Sequence, residues 1–193
     1  MARPRKFDEE TVIEAVREQF CCNGYAATSL DDLMCATGLG KGSLYGAFGD
    51  KRQLFLRVFE EYCANAIDDV RSQLTGDDAG AMDRLRTYFF ANVESIGRDT
   101  THRGCLLAKG TGELSSVEPR VAALSLQTYR ALEELFAACL VQAQRHGDIK
   151  PNADTQKLGA LLLSVLRGIE ALGKAGMDEA SLRGIVETAL TAL

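Results

Sequence analysis

The 193-residue chain has only three prolines, two histidines and no Cys-x-x-Cys pair among its six cysteines. Few prolines and abundant Ala and Leu favour helices, and no stretch alternates polar with β-branched residues as a strand would. The cysteine and histidine spacing argues against a zinc site or a disulfide framework. We therefore expect an all-α protein with no bound metal and no cofactor.

Long apolar runs are also missing. The longest apolar stretch covers residues 158–166, between Lys157 and Arg167, and nine residues are too few to span a bilayer. The first ten residues carry six charges and no apolar core follows them, so the sequence shows no signal peptide. These absences predict a cytoplasmic protein.

Signatures of catalysis are absent as well. No nucleophile has a base at motif spacing, and no pair of carboxylates or metal-ligating cluster stands out. Three glycines around Lys41 suggest a phosphate-binding loop, but that motif needs Ser or Thr directly after the lysine and a glycine where Cys35 lies. Gly42 separates Lys41 from Ser43, and a dinucleotide fingerprint also fails at Ser43. We expect no enzymatic activity, with an enzyme and a helical interaction protein without DNA binding as the alternatives.

What the sequence does contain is a compact pattern at residues 28–48. Thr28 is predicted to cap a short helix, with Asp31 in the capping-box position. Gly38 is predicted to end that helix, and from Leu39 onward apolar residues mark a second short helix. Two short helices joined by a glycine-containing turn are typical of a helix-turn-helix, whose second helix enters the DNA major groove.

This region resembles the DNA-binding domain of TetR-family transcriptional regulators. The resemblance covers residues 7–56 without gaps and rests on Gly24-Tyr25, Thr28-Ser29, Thr37-Gly38, Lys41-Gly42-Ser43-Leu44-Tyr45, Phe48, Lys51 and Leu54. It implies an all-α homodimer of about nine helices per chain, with a three-helix DNA-binding domain at residues 1–50 and an effector-binding and dimerisation domain at 51–193. The implied function is a repressor that leaves a palindromic operator on a small-molecule or an electrophile or oxidant signal.

The resemblance also implies which residues touch DNA. Thr28, Lys41, Tyr45 and Lys51 are expected to contact phosphates of a double-stranded operator. Gly46 and Ala47 depart from the family pattern, because many members carry larger side chains there, and this thins the base-reading face. The full predicted DNA surface consists of Thr28, Ser29, Gly40, Lys41, Gly42, Ser43, Leu44, Tyr45 and Lys51.

The net charge of −5 conceals local basic patches. Residues 38–52 hold three cations, Lys41, Lys51 and Arg52, against the carboxylate of Asp50, a net charge of +2. A basic arm precedes them at residues 3–6, interpreted either as a solvated terminus or as an arm for the minor groove. Local patches, more than total charge, determine the electrostatic attraction to DNA.

Helical periodicity continues along the chain. We predict a first helix from the Asp8 cap to Gly24 and a long helix from the Asp50 cap to Leu74. Further helices are expected over residues 82–97, over Cys105 to Leu114, from Pro119 to His146, from the Asp154 cap to about Gly173–Gly176, and from Asp178 to Leu193.

The last two predicted helices, residues 154–193, carry the dimer hypothesis. A helix that is apolar nearly all round must be buried on several sides. The resemblance favours a four-helix bundle built from two such helices per subunit around a twofold axis, and an ordinary monomer core is the alternative. The apolar residues of the first of these helices are Leu158, Leu161, Leu162, Leu163, Val165, Leu166, Ile169 and Leu172.

The segment Arg103-Gly104-Cys105-Leu106-Leu107 resembles the NemR-like branch of the TetR family. In that branch the sensing cysteine matches Cys105 and a lysine that assists it matches Lys174. A nearby cation lowers the pKa of a thiol and so increases the reactive thiolate. The alternative is that Cys105 is a buried packing residue.

A separate inducer pocket is the other candidate effector site. Tyr88, Phe89, Tyr129 and Phe136 are the aromatic residues that would line it among the C-terminal helices. Aromatic side chains at helical spacing are more often core than ligand contacts, and the sequence does not identify the inducer.

Overall fold

The computed structural model describes residues 7–99, 101 and 103–193, and over these residues it contains nine α-helices and no strand. This confirms the predicted all-α fold class. The basic arm predicted at residues 3–6 lies outside the described residues. The helices are α1 (Glu9–Ala27), α2 (Leu30–Thr37), α3 (Lys41–Phe48), α4 (Lys51–Leu74), α5 (Ala81–Arg98), α6 (Leu106–Leu114), α7 (Pro119–His146), α8 (Thr155–Lys174) and α9 (Glu179–Thr191).

The chain divides into two compact units, and α4 and α7 each contribute to both. The first unit consists of Met1–Cys63 and Cys105–Leu124, and the second of Ala64–Gly104 and Ser125–Leu193. The first unit thus combines α1 to α3 with α6 and the beginnings of α4 and α7. None of the described helices is long and apolar enough to cross a membrane.

Four of the nine described helices begin with an aspartate cap where the sequence predicts a helix start. Asp8, Asp154 and Asp178 each accept a hydrogen bond from the backbone N–H three residues on. At the start of α4, Asp50 Oδ1 accepts from the backbone N–H of Gln53 at 2.8 Å, and Gln53 Oε1 accepts from that of Asp50 at 3.0 Å. These side chains satisfy N–H groups that have no partner within the helix.

The cap of α2 differs from the prediction by one residue. Ser29, not Thr28, is the N-cap, and Asp32 rather than Asp31 completes the capping box. Thr28 is buried, and its hydroxyl donates to the carbonyl of Gly24 at 2.6 Å. The Thr28 side chain is therefore committed to the end of α1 and does not cap α2.

The first helix does not end at Gly24 as predicted. It continues to Ala27 across a kink at Gly24, where φ is +79°, a backbone conformation that glycine adopts without steric cost. A Cβ added at Gly24 would lie 1.9 Å from Oε1 of Glu113. The φ angle therefore favours glycine here, and a Cβ would displace the Glu113 carboxylate from its place beside α1.

Aromatic rings hold the first unit together. The ring of Phe55 on α4 lies 5.0 Å from those of Phe20 and Tyr25, both in edge-on contact, and 5.5 Å from that of Phe59. Such edge-on and offset arrangements are favourable beyond the area that they bury. Leu44 of α3 is fully buried, so the second helix of the helix-turn-helix is anchored by its inner face.

The second unit has its own core, formed by residues of α5, α7, α8 and α9. Gly159 makes room for α7, because a Cβ added there would lie 2.9 Å from the carbonyl oxygen of Glu133. The most deeply buried side chains of this core are Leu85, Phe89, Val93, Phe136, Leu140, Leu162, Leu166, Ile169, Leu182 and Val186.

Candidate nucleic-acid interface and effector residues

Two eight-residue helices, α2 and α3, are separated by a three-residue turn. Gly38 ends α2 in the left-handed conformation with φ of +66°, and its N–H donates to the carbonyl of Met34 at 2.9 Å. Thr37 then fixes the turn, since its hydroxyl donates to Leu33 O at 2.7 Å and accepts from the N–H of Leu39 at 3.3 Å. This is the geometry of a helix-turn-helix.

The exposed side of α3, which we call the bare face, carries no side chain at Gly42 and Gly46 and only small side chains at Ser43 and Ala47. A Cβ atom added at Gly40, Gly42 or Gly46 would have no neighbouring atom within 4 Å. Gly40 is the N-cap of α3 and brings no side chain to the free N–H groups of its first turn. A helix N-terminus of this kind attracts phosphate oxygens through its N–H groups and its dipole.

Two lysines flank this bare face. Lys41 is the first residue of α3 and is exposed. Lys51 begins α4, and its ammonium lies 4.4 Å from the centroid of the Tyr25 ring. Burial lowers the pKa of Lys51, while the carboxylates of Glu113 and Asp32 act in the opposite direction. Lys51 is thus a partly desolvated cation beside the recognition helix.

Two of the nine residues predicted to contact DNA are interior. The side chains of Thr28 and Leu44 are fully buried, so neither side chain reaches the surface in this structure. The reason is local, because Thr28 serves the end of α1 and Leu44 faces the helical core. The remaining residues lie exposed or half-buried around α3, namely Ser29, Gly40, Lys41, Gly42, Ser43, Tyr45 and Lys51.

Arg52 lies in the basic patch predicted from the sequence, but in the structure it is paired with a glutamate. Its guanidinium donates to the largely buried carboxylate of Glu118 at 2.5 Å. This hydrogen bond lowers the pKa of Glu118, and a paired guanidinium adds little positive potential. Within residues 38–52, all of which the structure describes, the two other cations of the patch are Lys41 and Lys51.

A groove of about 430 Å³ beside Arg52 was not predicted from the sequence. Three arginines line it, and each is paired with a glutamate, so the groove as a whole is close to neutral. Long-range ion pairs leave no local sequence signal, since their partners are 48 to 66 positions apart. The pairs are Arg52 with Glu118, Arg57 with Glu9, and Arg120 with Glu60.

Cys105 lies in the first unit as the N-cap of α6 and is half-buried. Its Sγ accepts a hydrogen bond from the hydroxyl of Tyr62 at 3.5 Å. The ammonium of Lys109, one turn further on, donates to the carbonyls of Cys21 and Cys22. Burial raises the pKa of the neighbouring Cys21 thiol to about 11, which keeps Cys21 protonated and unreactive at neutral pH.

Lys174 belongs to the second unit. Its ammonium donates to the carbonyl of Arg103 at 3.2 Å. A Cβ added at Gly104 would lie 3.0 Å from Cδ of Lys174. The functional pairing of Lys174 with Cys105 stays a prediction.

The four aromatic candidates for an inducer pocket separate into two environments. Tyr88, Phe89 and Phe136 are buried and contact one another with ring centroids 5.5 to 5.6 Å apart. Tyr129 is half-buried, and the guanidinium of Arg167 lies 6.0 Å from its ring. The first three have the environment of core residues, and Tyr129 is the one beside charged groups.

The other cysteines differ in accessibility. Cys22 and Cys35 are exposed, whereas Cys63 and Cys139 are buried. No group of three or more potential ligand side chains in the described part of the chain is placed to hold a metal ion. An experiment on thiol modification must therefore distinguish Cys105 from the exposed Cys22 and Cys35.

A helix-turn-helix with a bare recognition face, joined through α4 to a separate helical unit, defines a DNA-binding regulator. Two family models agree with this class. Residues 12–58 match "Bacterial regulatory proteins, tetR family" and residues 81–189 match "Tetracyclin repressor-like, C-terminal domain". The chain belongs to the TetR family, and it is a DNA-binding transcriptional regulator and not an enzyme, as predicted.

Individual relatives extend over nearly the whole chain. The HTH-type transcriptional repressor ComR of Escherichia coli (strain K12) is 28% identical over 191 residues, covering 99% of this chain and 90% of ComR. A cysteine mutant of the TetR family transcriptional regulator CifR, complexed with 26bp double-strand operator DNA, is 27% identical with a TM-score of 0.81, covering 98% of this chain and 99% of CifR.

The reduced form of NemR from E. coli is similar in fold. It is 17% identical with a TM-score of 0.77 and covers 95% of this chain and 94% of NemR. At this identity the likeness concerns the fold alone, so membership of a NemR-like branch stays a prediction.

Proposed function

We propose that this protein is a cytoplasmic repressor that binds a palindromic operator as a homodimer and leaves it on a chemical signal. The observation that carries the proposal is the bare face of α3 between Lys41 and Lys51. Two relatives support this proposal, since ComR is a transcriptional repressor and the structure of CifR was determined in complex with operator DNA. In this proposal residues 1–50, together with Lys51, bind DNA, and residues 51–193 receive the signal and form the dimer.

DNA contacts in this proposal are made mostly to phosphates. Gly40 to Ser43, at the start of α3, lie where backbone N–H groups and small side chains admit a phosphate closely. Ser29 lies exposed at the start of α2, where its N–H and hydroxyl both donate to Asp32. Lys41 adds an exposed cation, Tyr45 a hydroxyl, and Lys51 a partly desolvated cation. Contacts of this kind fix position and orientation and carry little sequence information, which suits a face with glycine at 42 and 46.

Lys41→Ala is expected to weaken binding to every duplex and to lower the slope of log K against log salt by about 0.9, because one phosphate contact releases about that many counterions. The measurement is fluorescence anisotropy over a salt series, on a duplex selected from a random pool by the wild-type protein. Lys150→Ala, an exposed lysine after α7, is the matched control. An unchanged slope for Lys41→Ala would show that Lys41 does not touch DNA.

The dimer in this proposal forms through residues 154–193. The inner face of α8 is used within the subunit, and its outer face carries a stripe at helical spacing of small and apolar residues. Leu161 and Leu172 on this stripe are 43% and 36% exposed, and they lie at helical spacing on one face, so they form a continuous apolar surface of the kind that marks interaction sites. The stripe consists of Leu161, Ser164, Gly168 and Leu172, with Val165 at its edge, which also packs against the subunit's own core.

The signal acts in this proposal at Cys105. A quinone adds to the thiol, so that one S–C bond forms and the thiol proton passes to the quinone, which becomes a hydroquinone thioether. The adduct at the N-cap of α6 displaces the Tyr62 hydroxyl and shifts the equilibrium away from the DNA-binding conformation. A reversible ligand beside Tyr129 is the second candidate, favoured by the half-buried ring and by the Arg167–Glu170 ion pair next to it.

Quinone treatment is expected to weaken operator binding at least about tenfold through Cys105, the scale of a modest population shift. The test uses a Cys22→Ser/Cys35→Ser background, because Cys35 lies on α2 and its modification would itself obstruct DNA. Adding Cys105→Ser should abolish the response. Equal loss with and without Cys105 would assign the response to another thiol, and no response in either would favour the reversible ligand.

Release in this proposal proceeds through α4. This helix begins at Lys51 beside the recognition helix and ends at Leu74 in the second unit. A change in its inclination alters the distance between the two recognition helices of a dimer, which must fit successive major grooves about 34 to 36 Å apart.

A further inference from the structure

The kink of α1 leaves backbone groups without their usual helical partners. In an unbroken α-helix the N–H of Ala26 would donate to the carbonyl of Cys22, four residues earlier. In this structure the N–H of Ala26 donates to Glu113 Oε2 at 2.9 Å, and the Cys22 carbonyl accepts from the Lys109 ammonium at 2.7 Å. Both halves of this helical hydrogen bond are thus satisfied by side chains of α6.

Lys109 and Glu113 are matched to these two groups in position and in charge. They lie four residues apart, on one face of α6. A carbonyl at an interrupted helix end carries partial negative charge and binds a cation, and a freed N–H binds a carboxylate. Lys109 also donates to the carbonyl of Cys21, so α6 holds the last turn before the kink and the first residues after it.

Gly110 brings α6 close enough for these contacts. A Cβ added at Gly110 would lie 2.5 Å from the ring of Phe59 on α4. The helix is therefore seated against α4 by a residue between Lys109 and Glu113, while those two side chains reach α1. The chain then enters α2 directly, because Thr28 bonds the Gly24 carbonyl and Ser29 caps the next helix.

We propose that Lys109 and Glu113 form a brace that positions the helix-turn-helix for DNA binding. The brace fixes the backbone from Cys21 to Ala26 and hence the direction in which the chain enters α2. The braced conformation is the one that binds DNA, and movement of α6 away from α1 lowers operator affinity without removing any DNA contact. The inference takes DNA binding as given and does not depend on Cys105 being the sensor.

Lys109→Met tests the brace, since it keeps the length of the side chain and removes the charge. We expect operator affinity to fall about tenfold, on the scale of one lost charge-assisted hydrogen bond, with an unchanged salt slope because no phosphate contact is lost. Backbone hydrogen exchange at Ala26 should become faster. Lys109→Arg should restore most of the affinity, and Lys150→Met, an exposed lysine elsewhere, should have no effect.

Glu113→Gln is the milder second variant, and it keeps an acceptor oxygen for Ala26 if Lys109→Met does not fold. It should weaken operator binding in the same direction by a smaller factor. Faster exchange at Ala26 with unchanged affinity in these variants would overturn the brace, and a salt slope lowered by about one would show Lys109 to be a phosphate contact instead. Failure of the wild-type protein to bind any duplex would instead refute the proposed repressor function.

Discussion

Phe136→Ala is expected to lower the free energy of unfolding by about 3–5 kcal/mol, the usual cost of truncating a fully buried phenylalanine. Phe136 is 0% exposed and contacts the rings of Tyr88 and Phe89. The measurement is urea unfolding followed by circular dichroism at one fixed protein concentration, because the midpoint of a dimer depends on concentration.

Leu126→Ala is the matched control on the same helix. Leu126 is 51% exposed, and a surface substitution of this kind changes stability by less than about 0.5 kcal/mol. If Phe136→Ala shifts the urea midpoint no more than Leu126→Ala does, the assignment of Phe136 to the core is wrong. It would mean that the ring borders an open space, as an inducer-pocket residue would.

Local sequence features predicted much of this fold. Three Asp caps, the Gly38 stop and the long α4 and α7 follow from side chains acting on their own helix, within a few residues. The cap of α2 was misassigned because Thr28-Ser29 and Asp31-Asp32 offer two registers. The choice between them depends on Thr28 bonding Gly24, which belongs to the preceding helix.

Contacts between distant residues account for what the sequence did not predict. The kinked end of α1 contacts Lys109 and Glu113, which are more than 80 positions away in the sequence. Arg52 was assigned to the DNA-binding patch, although it is engaged by Glu118. Neither helical periodicity nor a sequence motif indicates ion pairs between distant residues. The sequence therefore located the surface that faces DNA, but not which of its cations are already paired with carboxylates.

The two faces of α8 could not be told apart from the sequence either. Eight apolar residues suggested burial on several sides, but sequence alone does not say which side faces the subunit's own core. The structure assigns Leu162, Leu166 and Ile169 to that core and leaves Leu161 and Leu172 outside. A charge at Leu166 would therefore unfold the subunit, and only the outer stripe gives a clean test of dimerisation.

Gly168→Lys is expected to yield a folded monomer that binds operator at least about 100-fold more weakly. A Cβ at Gly168 meets nothing within 4 Å in the single chain, and replacing a mid-helix glycine favours the helix. The lysine would block close packing of two α8 helices around a twofold axis. A monomer then loses the second DNA-binding head, whose tethering contributes a factor of about 10² to 10⁴.

Analytical ultracentrifugation and operator titration of the same samples separate the possible outcomes. Gly112→Lys is the matched control for oligomeric state, because Gly112 is also inside a helix with open space around it but lies outside residues 154–193. Wild type and Gly112→Lys should sediment as dimers and Gly168→Lys as a monomer with an unchanged helical spectrum. A Gly168→Lys dimer with full operator affinity would place the dimer interface elsewhere, since a lysine in the middle of the stripe cannot be accommodated between two closely packed copies of α8.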